Sequence, residues 1–215
     1  MTYKHLNLPI NPIKSTYSIP SERFDDPDKK HMVFKHHQAF IEVDPEEILK
    51  EEIIDTFKSK NLNPSTAVLF RAVLPRLRQD ALLHSDVEIV HATAWKKVIC
   101  SVNWELTPNV SPKFYWFKTT KEPVMPPKDF LSVTDIKLFG VHYGNRYQLG
   151  INTDEDTPIE SVSTNIGPLL VRTDIPHLVE IDDAQPKVRY ALSIRFKNRF
   201  KSWEEAVELF QPLVK

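Results

Sequence analysis

The stretch KVRYALSIRF, residues 187–196, alternates strictly. Val188, Tyr190, Leu192, Ile194 and Phe196 fall on one parity, and Arg189, Ala191, Ser193 and Arg195 on the other. A period of two belongs to a β-strand, because successive side chains leave opposite faces. The apolar set asks for a hydrophobic core, and the small and cationic set asks for a polar interior or solvent. WKKVICSVNWEL (95–106) repeats the theme, with Val98, Cys100, Val102 and Trp104 alternating against Ile99, Ser101 and Asn103. An aromatic strand follows in PKFYWFKT (112–119), and MVFKHHQAFIEV (32–43), IKLFGVHYG (136–144), RYQLGIN (146–152), GPLLVRTD (167–174) and HLVEI (177–181) are further strand material.

Helical signals are fewer. Asp44 can cap a helix running through DPEEILKEEIIDTFKSKN (44–61), with Pro45 and Glu47 in its first turn and Ile48, Leu49, Ile53, Ile54 and Phe57 as its apolar stripe. NPSTAVLFRAVLPRL (63–77) reads as a second short helix that Pro75 ends or bends. Ser202 followed by Glu205 opens a closing amphipathic helix. All four glycines, Gly140, Gly144, Gly150 and Gly167, lie where turns and bends are expected, with no phosphate-loop spacing. Many short strands with few helices predict an all-β or α+β double-stranded barrel rather than a Rossmann-like domain. Residues 1–30, rich in proline, serine and charge, read as an extension on or beside a single domain spanning 31–215.

With 28 basic against 29 acidic residues the formal charge is -1, so the composition gives no reason for attraction to nucleic acid. A single cysteine, Cys100, excludes an internal disulfide framework and a thiolate-rich metal site, and points to a reducing compartment. The N-terminal segment lacks the apolar core of a signal peptide, and no stretch is long enough to span a bilayer. The expectation is a soluble, cytoplasmic chain with no membrane partner.

Chemistry concentrates in two further stretches. LLHSDVEIV (82–90) carries His84 and Asp86 two residues apart, so a strand would turn both to one face. VRTDIPHLVEI (171–181) supplies His177 from elsewhere in the sheet. Two imidazoles and one carboxylate are what a ferrous ion accepts on one face while its other positions stay open for water, a bidentate acid and dioxygen. Zinc accepts a similar set, so these residues alone do not choose the metal. If the polar parity of 187–196 lines the barrel, Arg189 offers a guanidinium fork to a dicarboxylate and Ser193 adds a hydroxyl; Asn103 offers an amide to the acid or to a substrate, or else bonds backbone at a strand end. Arg195, nearer the strand end, is expected to face solvent or to join a salt bridge.

HSD at 84–86, IPHLV at 175–179 and RYALSIRF at 189–196 together resemble the ordered motifs of the Fe(II)/2-oxoglutarate-dependent oxygenase superfamily. The resemblance covers 80–196 and implies a double-stranded β-helix (jelly-roll) core with flanking α-helices. It implies that His84, Asp86 and His177 are the iron ligands. Arg189, twelve positions after His177, matches the basic residue that clamps 2-oxoglutarate. The implied activity is a dioxygenase that consumes dioxygen and 2-oxoglutarate, releases succinate and carbon dioxide, and hydroxylates a small molecule or a protein side chain. The long separation between Asp86 and His177 calls for an insertion, over 119–130 or 140–168. Two other classes fit the same residues: a cupin-like binding or structural protein, and a zinc-dependent hydrolase or isomerase. His142 reads as a loop or pocket residue or an alternative ligand, His91 as a residue that orients substrate or ends a strand, and the adjacent pair His36 and His37, facing opposite sides of a strand, as a poor two-ligand module. Trp95, Trp104, Tyr115 and Trp116 are core aromatics first and cavity walls second.

Overall fold

The computed structural model describes residues 1–24, 33–34, 38–73, 83–91, 94–119, 123–124, 138–143, 156–181, 188–198 and 200–215. Its architecture is mainly β: two antiparallel sheets with helices packed outside the first. That sheet runs in the order β1 (Tyr3–His5), β12 (Leu169–Arg172), β7 (Cys100–Glu105), β14 (Val188–Phe196), β4 (Pro64–Val73), β3 (Gln38–Val43) and β2 (Val33–Phe34). The second runs β11 (Asp156–Ser163), β8 (Lys113–Thr119), β13 (His177–Glu180), β5 (His84–His91), β10 (Leu138–Tyr143) and β9 (Pro123–Val124), with β6 (Ala94–Lys97) also paired to β5.

The alternation in 187–196 is realised in β14, a central strand paired to β4 on one side and β7 on the other. Leu192 and Ile194 lie in the main hydrophobic core with Tyr190 and Phe196 packed against it, whereas Arg189, Ser193 and Arg195 line a cavity reached by side chains of both sheets. Outside the sheet, α2 (Glu51–Ser59) contributes Ile53, Ile54 and Phe57 to that core, and α3 (Trp203–Phe210) contributes Trp203, Ala206 and Phe210. Phe57, Phe196 and Phe210 meet edge to face, with centroids 5.2–6.5 Å apart, the favoured geometry for aromatic quadrupoles. The Ser202 hydroxyl accepts from Glu205 N at 3.2 Å, which caps α3 as its sequence predicts.

Three expectations need correction. The helix expected over 44–61 is two: α1 (Pro45–Ile48), capped by Asp44 Oδ1 accepting from Glu46 N at 2.8 Å, and then α2. Leu49 between them is extended and forms a β-bridge with Ile13, while Lys14 N donates to Ile48 O and Lys50 N to Pro12 O. The N-terminal segment thus claims the backbone groups that a continuous helix would use. Residues 64–73 form strand β4 rather than a helix: they are flanked by β14 and β3, and both faces are covered, so tertiary pairing overrides local pattern. Gly140 is not at a turn but inside β10, directly across from Asp86.

The start of the chain joins the first sheet through Tyr3–His5. Strand β1 pairs with β12, Leu6 bridges Val214, and Thr2 donates through N and Oγ1 to Glu160 Oε2 on β11 of the second sheet. Gly144, Gly150, RYQLGIN and most of 119–155 lie outside the described residues, as do His36 and His37. Among the described residues, no helix is long and apolar enough to cross a membrane.

Candidate metal centre

His84 opens β5 and His177 opens β13, and the two are directly paired across the strands, so they share a face. Asp86, two residues along β5, returns to that face. The three ligand atoms lie within 4.8 Å of one another, a group able to hold a metal ion. Asp86 Oδ1 is 3.7 Å from His84 Nε2 and 3.7 Å from His177 Nε2. The convergence read from HSD and IPHLV is therefore present.

Asp86 and His177 are held from behind. The Asp86 backbone donates to Thr173 O at 2.8 Å and accepts from Val98 N at 3.0 Å. His177 Nδ1 is 2.9 Å from Ile175 O, which fixes the proton on Nδ1 and leaves the Nε2 lone pair toward Asp86. Phe114 stacks on the His177 ring at 4.9 Å with an interplanar angle of 20°. The Ile175–Pro176 segment is held by Phe117 N donating to Pro176 O, and the strand before it by Trp116 Nε1 donating to Arg172 O.

Electrostatics suit a cation. Burial pushes the His177 imidazole below its ordinary value, against the pull of Asp86, so it is neutral and able to donate a lone pair at neutral pH. Burial also pushes the Asp86 carboxyl up, but nearby positive charge, Arg195 first, more than offsets it, and the group stands below its ordinary value. The result is one ionised oxygen donor and at least one neutral nitrogen donor on the same face.

The residues expected to grip an acid line the same cavity, of about 80 Å³. Arg189 is 7% exposed, and its Nε donates to Glu105 Oε2 at 2.7 Å. That is its only hydrogen bond among the described residues, so Nη1 and Nη2 keep their donors. Glu105, buried beside it, has its carboxyl pushed up by burial with Arg189 pulling it down. Ser193 Oγ donates to Asn103 Oδ1 at 2.6 Å, and Ser101 Oγ donates to the same oxygen at 2.9 Å. The Ser193 proton is therefore committed within the protein, and Asn103 Nδ2 has no partner among the described residues.

Of the two expectations for Arg195, solvent or a salt bridge, the salt bridge is the one that forms. It is 7% exposed rather than solvent-facing, and its Nη2 forms a close ion pair with Asp86 Oδ2. Its Nε and Nη1 are buried with no hydrogen-bond partner. Strand parity already contained this, since Arg195 lies six residues from Arg189 on the same face. Glu105 was legible in the same way, as the continuation of the Ser101 and Asn103 face. The Phe114 stack had no sequence signal beyond an aromatic-rich strand.

Among the other candidates, His142 is the cross-strand neighbour of His84 in β10, and its side chain and that of His91 lie outside the described ones. Trp104 lines the cavity but anchors its Nε1 on Pro9 O, and Trp116 is fully buried in the core between β8 and β12. Tyr115 packs against a separate small core. The Trp95 side chain lies outside the described ones. No protein-family model matches the chain, and no curated protein matches it.

Proposed function

We propose that the chain is an Fe(II)- and 2-oxoglutarate-dependent dioxygenase, built on a double-stranded β-helix core, that hydroxylates a small molecule or a protein side chain. One observation supports this most: the His84, Asp86 and His177 face and the open edge of Arg189 line one cavity between two antiparallel sheets. A scaffold protein has no use for two cations buried beside a ligand triad, since each costs desolvation.

His84 Nε2, Asp86 Oδ1 and His177 Nε2 would hold the ferrous ion. When bound, the metal supplies the redox chemistry that joins dioxygen to the oxidative decarboxylation of 2-oxoglutarate: one oxygen atom enters succinate as carbon dioxide leaves, and the other enters a C–H bond of the substrate. The protein's own part is to bind and orient. Arg189 Nη1 and Nη2 clamp the distal carboxylate of the diacid, and Glu105 fixes the guanidinium by its Nε so that the fork keeps one direction. Asn103 offers Nδ2 to the acid, with its amide set by Ser101 and Ser193, so Ser193 acts through Asn103. Ionised Asp86, Glu105, Arg189 and Arg195 sum to zero charge. A divalent ion then matches a dianionic acid.

The test is succinate formation from 2-oxoglutarate in the presence of Fe(II) and a reductant. Wild type is expected to form succinate slowly without added substrate, and H84A, D86A and H177A to lose this. Removing Arg189 alone would strand the buried Glu105 carboxylate, so the pair is changed together. R189Q/E105Q should need about tenfold or more 2-oxoglutarate for half-maximal rate. Triad variants that keep the wild-type rate would reject the activity.

A further inference from the structure

The two oxygens of Asp86 have different neighbours. Oδ1 faces both histidine nitrogens at 3.7 Å, while Oδ2 is engaged by Arg195 Nη2. Resting on the metal centre described above, we propose that Arg195 is a positioning residue that limits Asp86 to one-oxygen coordination and thereby keeps a position open on the metal.

A carboxylate chelates an ion through both oxygens only if both are free to turn toward it. For Asp86 to do so, Oδ2 would have to leave Arg195, whose Nε and Nη1 already lack partners in the buried interior. A third orphaned donor is an expensive outcome where water is excluded. The Asp86 backbone is bonded on both sides, to Thr173 and Val98, so only a turn of the side chain, which breaks the Arg195 pair, can bring Oδ2 to the metal. Arg195 cannot readily follow it: its strand is paired to β4 with Arg195 opposite Thr66.

Coordination arithmetic gives the consequence. Two imidazoles and one oxygen leave three of six positions, enough for a bidentate acid and one small ligand. A chelating Asp86 would leave two, and the acid would fill them. Arg195 therefore costs the site some donor strength at Asp86 and keeps room for a third exogenous ligand.

The probes are Co(II) alone and then oxalate, a bidentate acid with no tail to reach Arg189. In R195Q, Co(II) should bind as tightly as in wild type or tighter, since a competing cation is gone. Its visible d–d spectrum should already differ before acid is added, and oxalate should bind the loaded protein about tenfold more weakly. R195K, which keeps the charge and one donor, should return the acid-free spectrum toward wild type. Co(II) and oxalate affinities falling together would assign Arg195 a merely structural role, and an unchanged acid-free spectrum would show that it acts on the acid and not through Asp86. Either overturns the assignment. Should R195Q not fold, crystals of Mn(II)-loaded wild type decide: Oδ1 alone on the metal is expected, and an Mn–Oδ2 bond overturns it. Wild type that takes up no Co(II) removes the metal centre itself, a failure distinct from these.

Discussion

Asp86 stays ionised in a nearly enclosed position because burial, which alone would favour the protonated form, is outweighed by the positive charge around it, Arg195 first. His177 is the opposite case: burial dominates and keeps it neutral. The folded imidazole therefore takes up a proton only below its unfolded value of 6.5. Its contribution to stability is complete above that value and is lost as pH falls through the folded one. Urea unfolding of the metal-free protein should thus show stability dropping as pH falls below 6.5, and H177Q should flatten that drop. An identical slope in H177Q would contradict the neutral, buried imidazole. At this scale the sequence was informative where chemistry repeats in a pattern: HSD, IPH and the arginines of β14 are all motif or parity readings. It was blind to partners supplied by fold, as with Phe114 on His177.

Elements were legible when period and burial agreed. Strand β14 has one face in the core and one in the cavity, so its alternation survived intact. Strand β4 is covered on both faces, with Ala67 and Leu69 fully buried and Val68 nearly so, and that continuous apolar run has no period to distinguish it from a buried helix. The break between α1 and α2 was hidden for another reason. Leu49 fits the helical stripe, and only Ile13, 36 positions earlier, pulls it into a bridge. Since Leu49 is fully buried, L49A should cost about 2–5 kcal/mol in chemical denaturation, the range for a core cavity. D44A, which removes the cap of a four-residue helix, should cost about 1 kcal/mol. A cost at Leu49 no larger than that at Asp44 would mean the bridge does not anchor the helix pair.

Over the whole molecule, the two sheets enclose the site and the first 24 residues help hold them together. Leu6 is fully buried and bridges Val214, while Thr2 reaches across to Glu160 on the second sheet. L6A should therefore lower stability by about 2–5 kcal/mol, whereas I10A, at a position 72% exposed, should stay within about 0.5 kcal/mol. Equal effects at the two positions would show that the segment is not part of the core. The mainly-β class followed from counting alternating runs, but which strands neighbour one another did not, because pairing joins residues as distant as Tyr3 and Val171. The site depends on that pairing, since His177 meets His84 only through the register of β13 against β5. Anaerobic titration of the protein with Fe(II) and then 2-oxoglutarate addresses the site most directly. A weak visible charge-transfer band should grow to one equivalent, vanish in H84A, D86A and H177A, and need more 2-oxoglutarate in R189Q/E105Q; a band that is absent from wild type, or unchanged in all of these variants, would contradict a metal held by this triad and an acid held by this arginine.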